Sequence, residues 1–222
     1  MTETRISRAK FIANRFPEYL GSTLLNVGGG GKKALQSFLP TTTHYTELDV
    51  AGTPDIRMDL EQDCPLPFDT NSFETVVCTE VLEHLSNLHE VFAELVRVSS
   101  SWVIISLPNC LCGIDAYWKF KGSYPSRKAG ITRGSFLKFY GLPAIVPEDR
   151  HKWFFSYSEA EAFINYHSNK KTYSIAQQFP TGLTTTSRKE NLKRYLHRFF
   201  LSERVFIDRY SSTFWCVLKV KA

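Results

Sequence analysis

Short apolar runs alternate with mixed segments through the first half of the chain. Residues 5–16 read as a helix that Pro17 closes, and Thr23–Val27 is a short apolar run ending in four glycines, Gly28–Gly31. A helix is expected from Lys32 to Leu39, stopped by Pro40. Thr43–Val50 reads as a second strand, Ile56–Met58 as the end of a third and Phe73–Cys78 as a fourth. Ser86 is placed to cap a helix running through Val98, with Leu88, Val91, Phe92, Leu95 and Val98 on one face. Trp102–Leu107 is nearly all apolar, as suits a strand covered on both faces of a parallel sheet.

The second half is less regular. Residues 109–155 are rich in Gly, Pro, aromatic and basic residues and too long for an idle loop. Ser156 and Glu159 form a capping-box signature opening a helix to about Tyr166. Tyr173–Gln178 reads as a strand, Arg188–Phe200 as a basic helix with Tyr195 and Phe199 on one side, and Thr213–Val220 as a closing strand. Strands alternating with helices predict an α/β fold with right-handed crossovers and a doubly wound sheet. The whole, residues 1–222, is expected to be a single domain: an N-terminal helix in 1–20, a ligand-binding half in 22–108, an insertion in 109–155 and closing helices and strands in 156–222.

Composition excludes some classes. With 222 residues, 43% hydrophobic and 14% aromatic, the chain can bury a sizeable core, which argues against disorder. No apolar run approaches the roughly 18 residues a membrane helix needs, so no membrane span is expected. The polar start, with Glu3, is unlike a secretory signal. Five cysteines without framework spacing suggest reduced thiols, a cytoplasmic protein and no metal. The net charge of +5 hides a division: residues 1–111 carry 8 Lys+Arg against 14 Asp+Glu, a balance of −6, and residues 112–222 carry +11.

The candidate chemistry begins at Gly28–Gly31, where glycines between a buried strand and the next segment allow a ligand to approach the backbone. A P-loop is excluded, because Asn26 falls where its first glycine should be and Lys33 where its hydroxyl should be. A nicotinamide dehydrogenase is disfavoured, since Lys33 also occupies the last position of Gly-x-Gly-x-x-Gly. Asp49 lies 21 positions after Gly28, at a strand end, where a carboxylate can accept ribose hydroxyls. Asp59, between Met58 and Leu60, can accept from an adenine amino group while its neighbours sandwich the ring.

The stretch from Asp59 to Leu85, with Leu66-Pro-Phe68, Ser72-Phe-Glu74 and Val81-Leu-Glu-His-Leu85, resembles the class I S-adenosylmethionine-dependent methyltransferases, in a subgroup of small bacterial enzymes. Glu94–Val98, Ser106–Asn109 and Asp149–Ser156 continue the likeness, which spans roughly residues 22–166. It implies a Rossmann-like, doubly wound, seven-stranded sheet, mostly parallel with one antiparallel strand and with helices on both faces. It also implies S-adenosylmethionine as cofactor. Carried over by position, Gly28 and Gly30 pass beneath the methionine part, Asp49 takes the ribose hydroxyls, and Asp59 and Leu60 hold the adenine; Asn26, Gly29, Val50 and Met58 complete the expected cofactor-binding set. Cys78, Thr79 and Glu80 face the methyl-transfer cavity. Two departures stand out: Asn26 where the family usually has an acidic residue, and Lys32 in place of a third glycine.

No catalytic residue is assigned, because alignment of a nucleophile with an activated methyl supplies much of the rate. Acceptor candidates are Tyr117, Arg150, His151 and Trp153, in or next to a segment whose aromatics can stack and whose cations can meet a phosphate or carboxylate. His151 is a candidate base, with a packing role as the alternative; His84 reads as structural. An anionic small molecule or a glycan/lipid intermediate is the expected acceptor, methylated on oxygen or nitrogen. RNA is the alternative substrate, because Arg188–Arg198 with Tyr195 and Phe199 is a candidate phosphate-contacting surface. A methyltransferase fold kept as a non-catalytic scaffold is the other alternative.

Overall fold

In the computed structural model, residues 5–112, 151–168 and 172–221 are described. Most of the expected insertion, including Tyr117 and Arg150, lies outside them. The elements are α1 (Arg5–Arg15), β1 (Thr23–Val27), β2 (His44–Asp49), β3 (Ile56–Arg57), β4 (Phe73–Thr79), α2 (Leu88–Val98), β5 (Ser99–Pro108), α3 (Tyr157–Ser168), β6 (Tyr173–Thr181), α4 (Arg188–His197), α5 (Glu203–Tyr210) and β7 (Thr213–Val220). Seven strands form one sheet in the order β3-β2-β1-β4-β5-β7-β6. The ladders from β3 to β5 are parallel. Between β6 and β7, Lys221 N donates to Thr172 O at 3.0 Å and Ser212 N to Thr181 O at 2.7 Å, so that pair is antiparallel. The expected mostly parallel, Rossmann-like sheet with an antiparallel strand is therefore found. Its order reverses at β1 and β4, which puts the carboxyl ends of these strands where open α/β sheets hold ligands.

Packing divides the described residues into two compact units. The first holds 5–106, 167–168, 172–178 and 216–221. Leu24, Leu25 and Val27 on β1, Val76 and Val77 on β4 and Val103–Ile105 on β5 are wholly buried, because strands inside a parallel sheet are covered on both faces. The apolar stripe of α2 (Leu88, Val91, Phe92, Leu95, Val98) is buried as its spacing requires. That helix starts at Leu88 rather than after a Ser86 cap. Ser86 N instead donates to Glu61 Oε1 at 2.8 Å, and Asn87 Nδ2 to Leu60 O at 2.9 Å, which ties the helix entry to the segment after β3.

The second unit holds 107–112, 151–166 and 179–215. The capping box at α3 is formed: Glu159 N donates to Ser156 Oγ at 3.2 Å and Ser156 N to Glu159 Oε2 at 2.7 Å. The amide of Asn109 donates to Asp208 O at 2.7 Å and Ser211 O at 2.9 Å, which closes the end of α5.

The helix expected over Lys32–Leu39 is absent; one 3-10 turn, Gln36–Phe38, stands there. Gly30, Gly31 and Lys33 all have positive φ (90°, 63° and 49°), which no right-handed helix tolerates. Gly31 is also bound against the loop after β2: Thr53 N donates to Gly31 O at 3.0 Å, and a Cβ on Gly31 would lie 2.1 Å from Ala51 O.

Candidate functional site

The glycine loop and the expected ligand-facing loops meet at the carboxyl ends of β1 to β4. Gly28, at φ 74°, continues from β1 by donating its N–H to Leu48 O at 2.8 Å. A Cβ there would lie 2.2 Å from Val81 Cγ2, so the position needs glycine for both its backbone and its space. Asp49 ends β2 and joins two loops: Oδ2 accepts from Gly30 N at 2.6 Å and Oδ1 from Ala51 N at 2.7 Å. Each oxygen keeps a second lone pair for a hydroxyl donor. Asp59 Oδ1 accepts from Glu61 N at 2.9 Å in a local turn. Met58 and Leu60 beside it are buried, and Val50 is exposed.

Asn26 is nearly buried and donates through Nδ2 to the Tyr45 hydroxyl at 2.9 Å. Tyr45 in turn donates to Glu47 Oε2 at 2.6 Å, and Glu47 Oε1 accepts from Lys32 N at 3.1 Å. Glu47 is fully buried and lies directly across the β1–β2 ladder from Asn26. The carboxyl group missing at residue 26 is thus present one strand over, and it holds the glycine loop by a backbone N–H. Burial, then the Glu47 contact, pushes the Tyr45 phenol far up, so it stays a donor. Sequence reasoning missed Glu47; the available signal was a charged residue inside a strand, flanked by Tyr45 and Asp49 on the same alternating side.

Two arginines of α1 stand over this loop. A Cβ on Gly30 would lie 2.4 Å from Arg5 Nη1, and Arg8 pairs with Glu80 while Nη1 donates to Thr79 O at 3.4 Å. Glu80 itself sits at φ 54°, a costly left-handed backbone for a residue with a Cβ, and its N–H donates to Ser106 O at 3.0 Å. Between α1 and the glycines is a cleft of about 30 Å³, lined by Arg5, Arg8, Ile12, Gly28, Gly29 and Thr79 among others.

The remaining expected residues divide. Thr79 and Glu80 are half-buried at the end of β4, at this site, whereas Cys78 is buried in the sheet between Val27 and Ile105. Burial pushes the Cys78 thiol far up, so it is an inert core residue and does not face an opening. All five cysteines are free thiols. His84 is half-buried in a 3-10 turn, with Nε2 3.6 Å from Glu83 Oε1. His151 and Trp153 lie in the second unit; the His151 ring is 6.3 Å from that of Phe154, and Trp153 is exposed.

The residues present suit a nucleoside bearing an amino-acid tail. A carboxylate with spare lone pairs stands at the second strand end, and glycines at positive φ leave a cradle that a Cβ would fill. Residues 25–102 match the model of a family described as a methyltransferase domain. Among solved structures, the methyltransferase domain of a bacterial Hen1 aligns over 98% of both chains at 16% identity, with a TM-score of 0.57. The small RNA methyltransferase HEN1 aligns at 13% identity and a TM-score of 0.58, over 97% of this chain and 25% of that one. A magnesium protoporphyrin IX methyltransferase from Synechocystis with bound SAH aligns at 14% identity and a TM-score of 0.52, over 98% of this chain and 82% of that one. This chain spans only a quarter of the HEN1 chain. No curated protein matches it in sequence. The sheet order and these alignments show a Rossmann-like fold of the kind found in methyltransferases, and the family match falls on its first five strands.

Proposed function

We propose that the protein methylates an anionic small molecule or a glycan/lipid intermediate, on oxygen or nitrogen. Bound S-adenosylmethionine supplies a methyl group already activated on a sulfonium centre. Asp49 accepts the ribose hydroxyls through the lone pairs its two backbone donors leave, and this carboxylate is the single observation that carries the site. Gly28–Gly30 pass beneath the methionine part with Asn26 next to them; Val50 flanks the ribose; Met58, Asp59 and Leu60 hold the adenine; Thr79 and Glu80 border the reacting end. Ligand pockets are about 300–1,000 Å³, ten or more times the present cleft. Arg5 and Arg8 border the cleft beside the glycines.

The acceptor assignment rests on charge. The second half of the chain, at +11, contains His151 and Trp153 together with Tyr117 and Arg150, and these residues would orient an acceptor bearing a phosphate or carboxylate. Methyl transfer from labelled S-adenosylmethionine to fractionated cell extract tests this. Label entering components retained by an anion exchanger is the expected result. Label entering only neutral or cationic components would overturn the acceptor class, and cofactor binding with no turnover would favour a scaffold.

A further inference from the structure

Helix α4 is packed the wrong way round. A surface helix ordinarily turns its apolar stripe to the core. In α4 no residue is buried, and its polar side faces inward. Asn191 exchanges hydrogen bonds with Thr185 at 2.7 and 2.8 Å. Arg194 donates to Gly182 O at 2.8 Å and lies over the Tyr210 ring at 5.0 Å, and His197 Nδ1 is 2.5 Å from the Tyr210 hydroxyl. The apolar positions point outward: Leu192 is 61% exposed, Tyr195 60%, Leu196 50%, Phe199 69% and Phe200 85%. Their spacing, i, i+3, i+4, i+7 and i+8, is that of one continuous stripe. Cations flank it: Arg188, Lys189 and Arg198 are exposed, Lys193 is half-buried, and Glu190 is the one acidic residue from 188 to 200.

We propose that α4 and the turn after it form an interfacial anchor that docks the protein on an anionic lipid surface. An apolar face with basic flanks and aromatic members is the pattern that settles at the headgroup boundary, with rings and leucines inserted and cations at the phosphates. No described helix is long and apolar enough to cross a membrane, so the contact is peripheral. Two other occupants fit less well. A second copy of the chain would bring four flanking cations against four across a two-fold contact. RNA would leave Leu192 and Leu196 without a role, since aliphatic side chains neither stack on bases nor bind phosphate; moreover Tyr195 and Phe199 already pack edge to face at 5.2 Å. The proposal is independent of the acceptor and of turnover.

Co-sedimentation of the full chain with vesicles tests it, comparing phosphatidylcholine alone with phosphatidylcholine mixed with phosphatidylglycerol. The wild type should bind the mixed vesicles at least ~10-fold more tightly than the neutral ones. Phe199→Asp combined with Phe200→Asp, both exposed and outside the core, should lower partitioning by roughly 100-fold, and Lys189→Ala by about fivefold. Circular dichroism and cofactor calorimetry of the variants should be unchanged, which separates a lost anchor from a lost fold or a failed catalytic site. Absence of vesicle binding, or vesicle binding insensitive to the aspartates, overturns the proposal. So does binding of a single-stranded oligonucleotide, or a concentration-dependent dimer, that the aspartates abolish while vesicles are not bound.

Discussion

Replacing Glu47 with Gln probes the buried carboxyl group that stands in for the acidic residue absent at Asn26. The side chain keeps its volume, but an amide offers one oxygen where the carboxyl offered two. If that oxygen stays on the Tyr45 hydroxyl (2.6 Å), an NH2 faces the Lys32 N–H across 3.1 Å; if it turns to Lys32, the NH2 faces Tyr45, which already accepts from Asn26. One charge-assisted hydrogen bond is lost in either arrangement, at about 1.5–3 kcal/mol. Opposing this, a neutral amide costs less than a carboxylate to bury. Both oxygens of Glu47 have donors, so the broken pair outweighs the relief and the sign is destabilising. With a urea m-value of about 2 kcal/mol/M, the midpoint should fall by roughly 1 M. Tyr45→Phe should cost a similar amount, and the double variant should fall short of the sum by at least ~0.5 kcal/mol, because the two share one network. Calorimetry should also show about tenfold weaker cofactor binding in Glu47→Gln, since the Lys32 N–H no longer holds the glycine loop. A Glu47→Gln protein as stable as the wild type, or strict additivity with Tyr45→Phe, would refute this account of the loop.

Glu94 gives a pH signature. Its oxygens are held by Arg97 at 2.6 Å each, and the hydrogen bond from Arg97 keeps its carboxyl below the usual range. A depressed folded pKa contributes stability that is fully present above the unfolded value and is lost as pH falls through the folded one. The difference in urea midpoint between wild type and Glu94→Gln should accordingly be largest near neutrality and shrink by about pH 3; a difference constant with pH would contradict it. Gly28→Ala should cost roughly 2 kcal/mol or more, because φ is 74° and the new methyl meets Val81 Cγ2 at 2.2 Å; a midpoint unchanged from wild type would contradict the loop geometry.

Much of this architecture is legible along the chain because it depends on local pattern. Thr213–Val220 is a strand with both ends as expected, and the box at Ser156 and Glu159 forms as its spacing requires. Asp49 closes β2 and accepts from Gly30 N, a contact that its spacing from the glycine turn puts within reach. The failures depend on partners distant in sequence. Lys32–Leu39 has helix-compatible residues, but the glycine loop is bound to Ala51–Thr53, and this contact forces the left-handed backbone that prevents the helix. Helix α5 buries only Phe206 and Tyr210 and is held at its start by Ser202, too little periodicity to detect. Glu47 is burial of a charge made tolerable by Tyr45 and Lys32, a relation that exists only once β2 and the loop have met. The inverted packing of α4 was equally hidden, since spacing identifies an apolar stripe but not the direction it faces.

The account stands most directly on Asp49. Titration of the protein with S-adenosylmethionine in a calorimeter should give one saturable site per chain, and Asp49→Ala should weaken it by at least ~100-fold, the loss expected when two hydrogen bonds to a charged group disappear. Equal affinity in the two proteins, or no heat with either, would contradict the assignment of the cofactor to the carboxyl ends of β1 to β4.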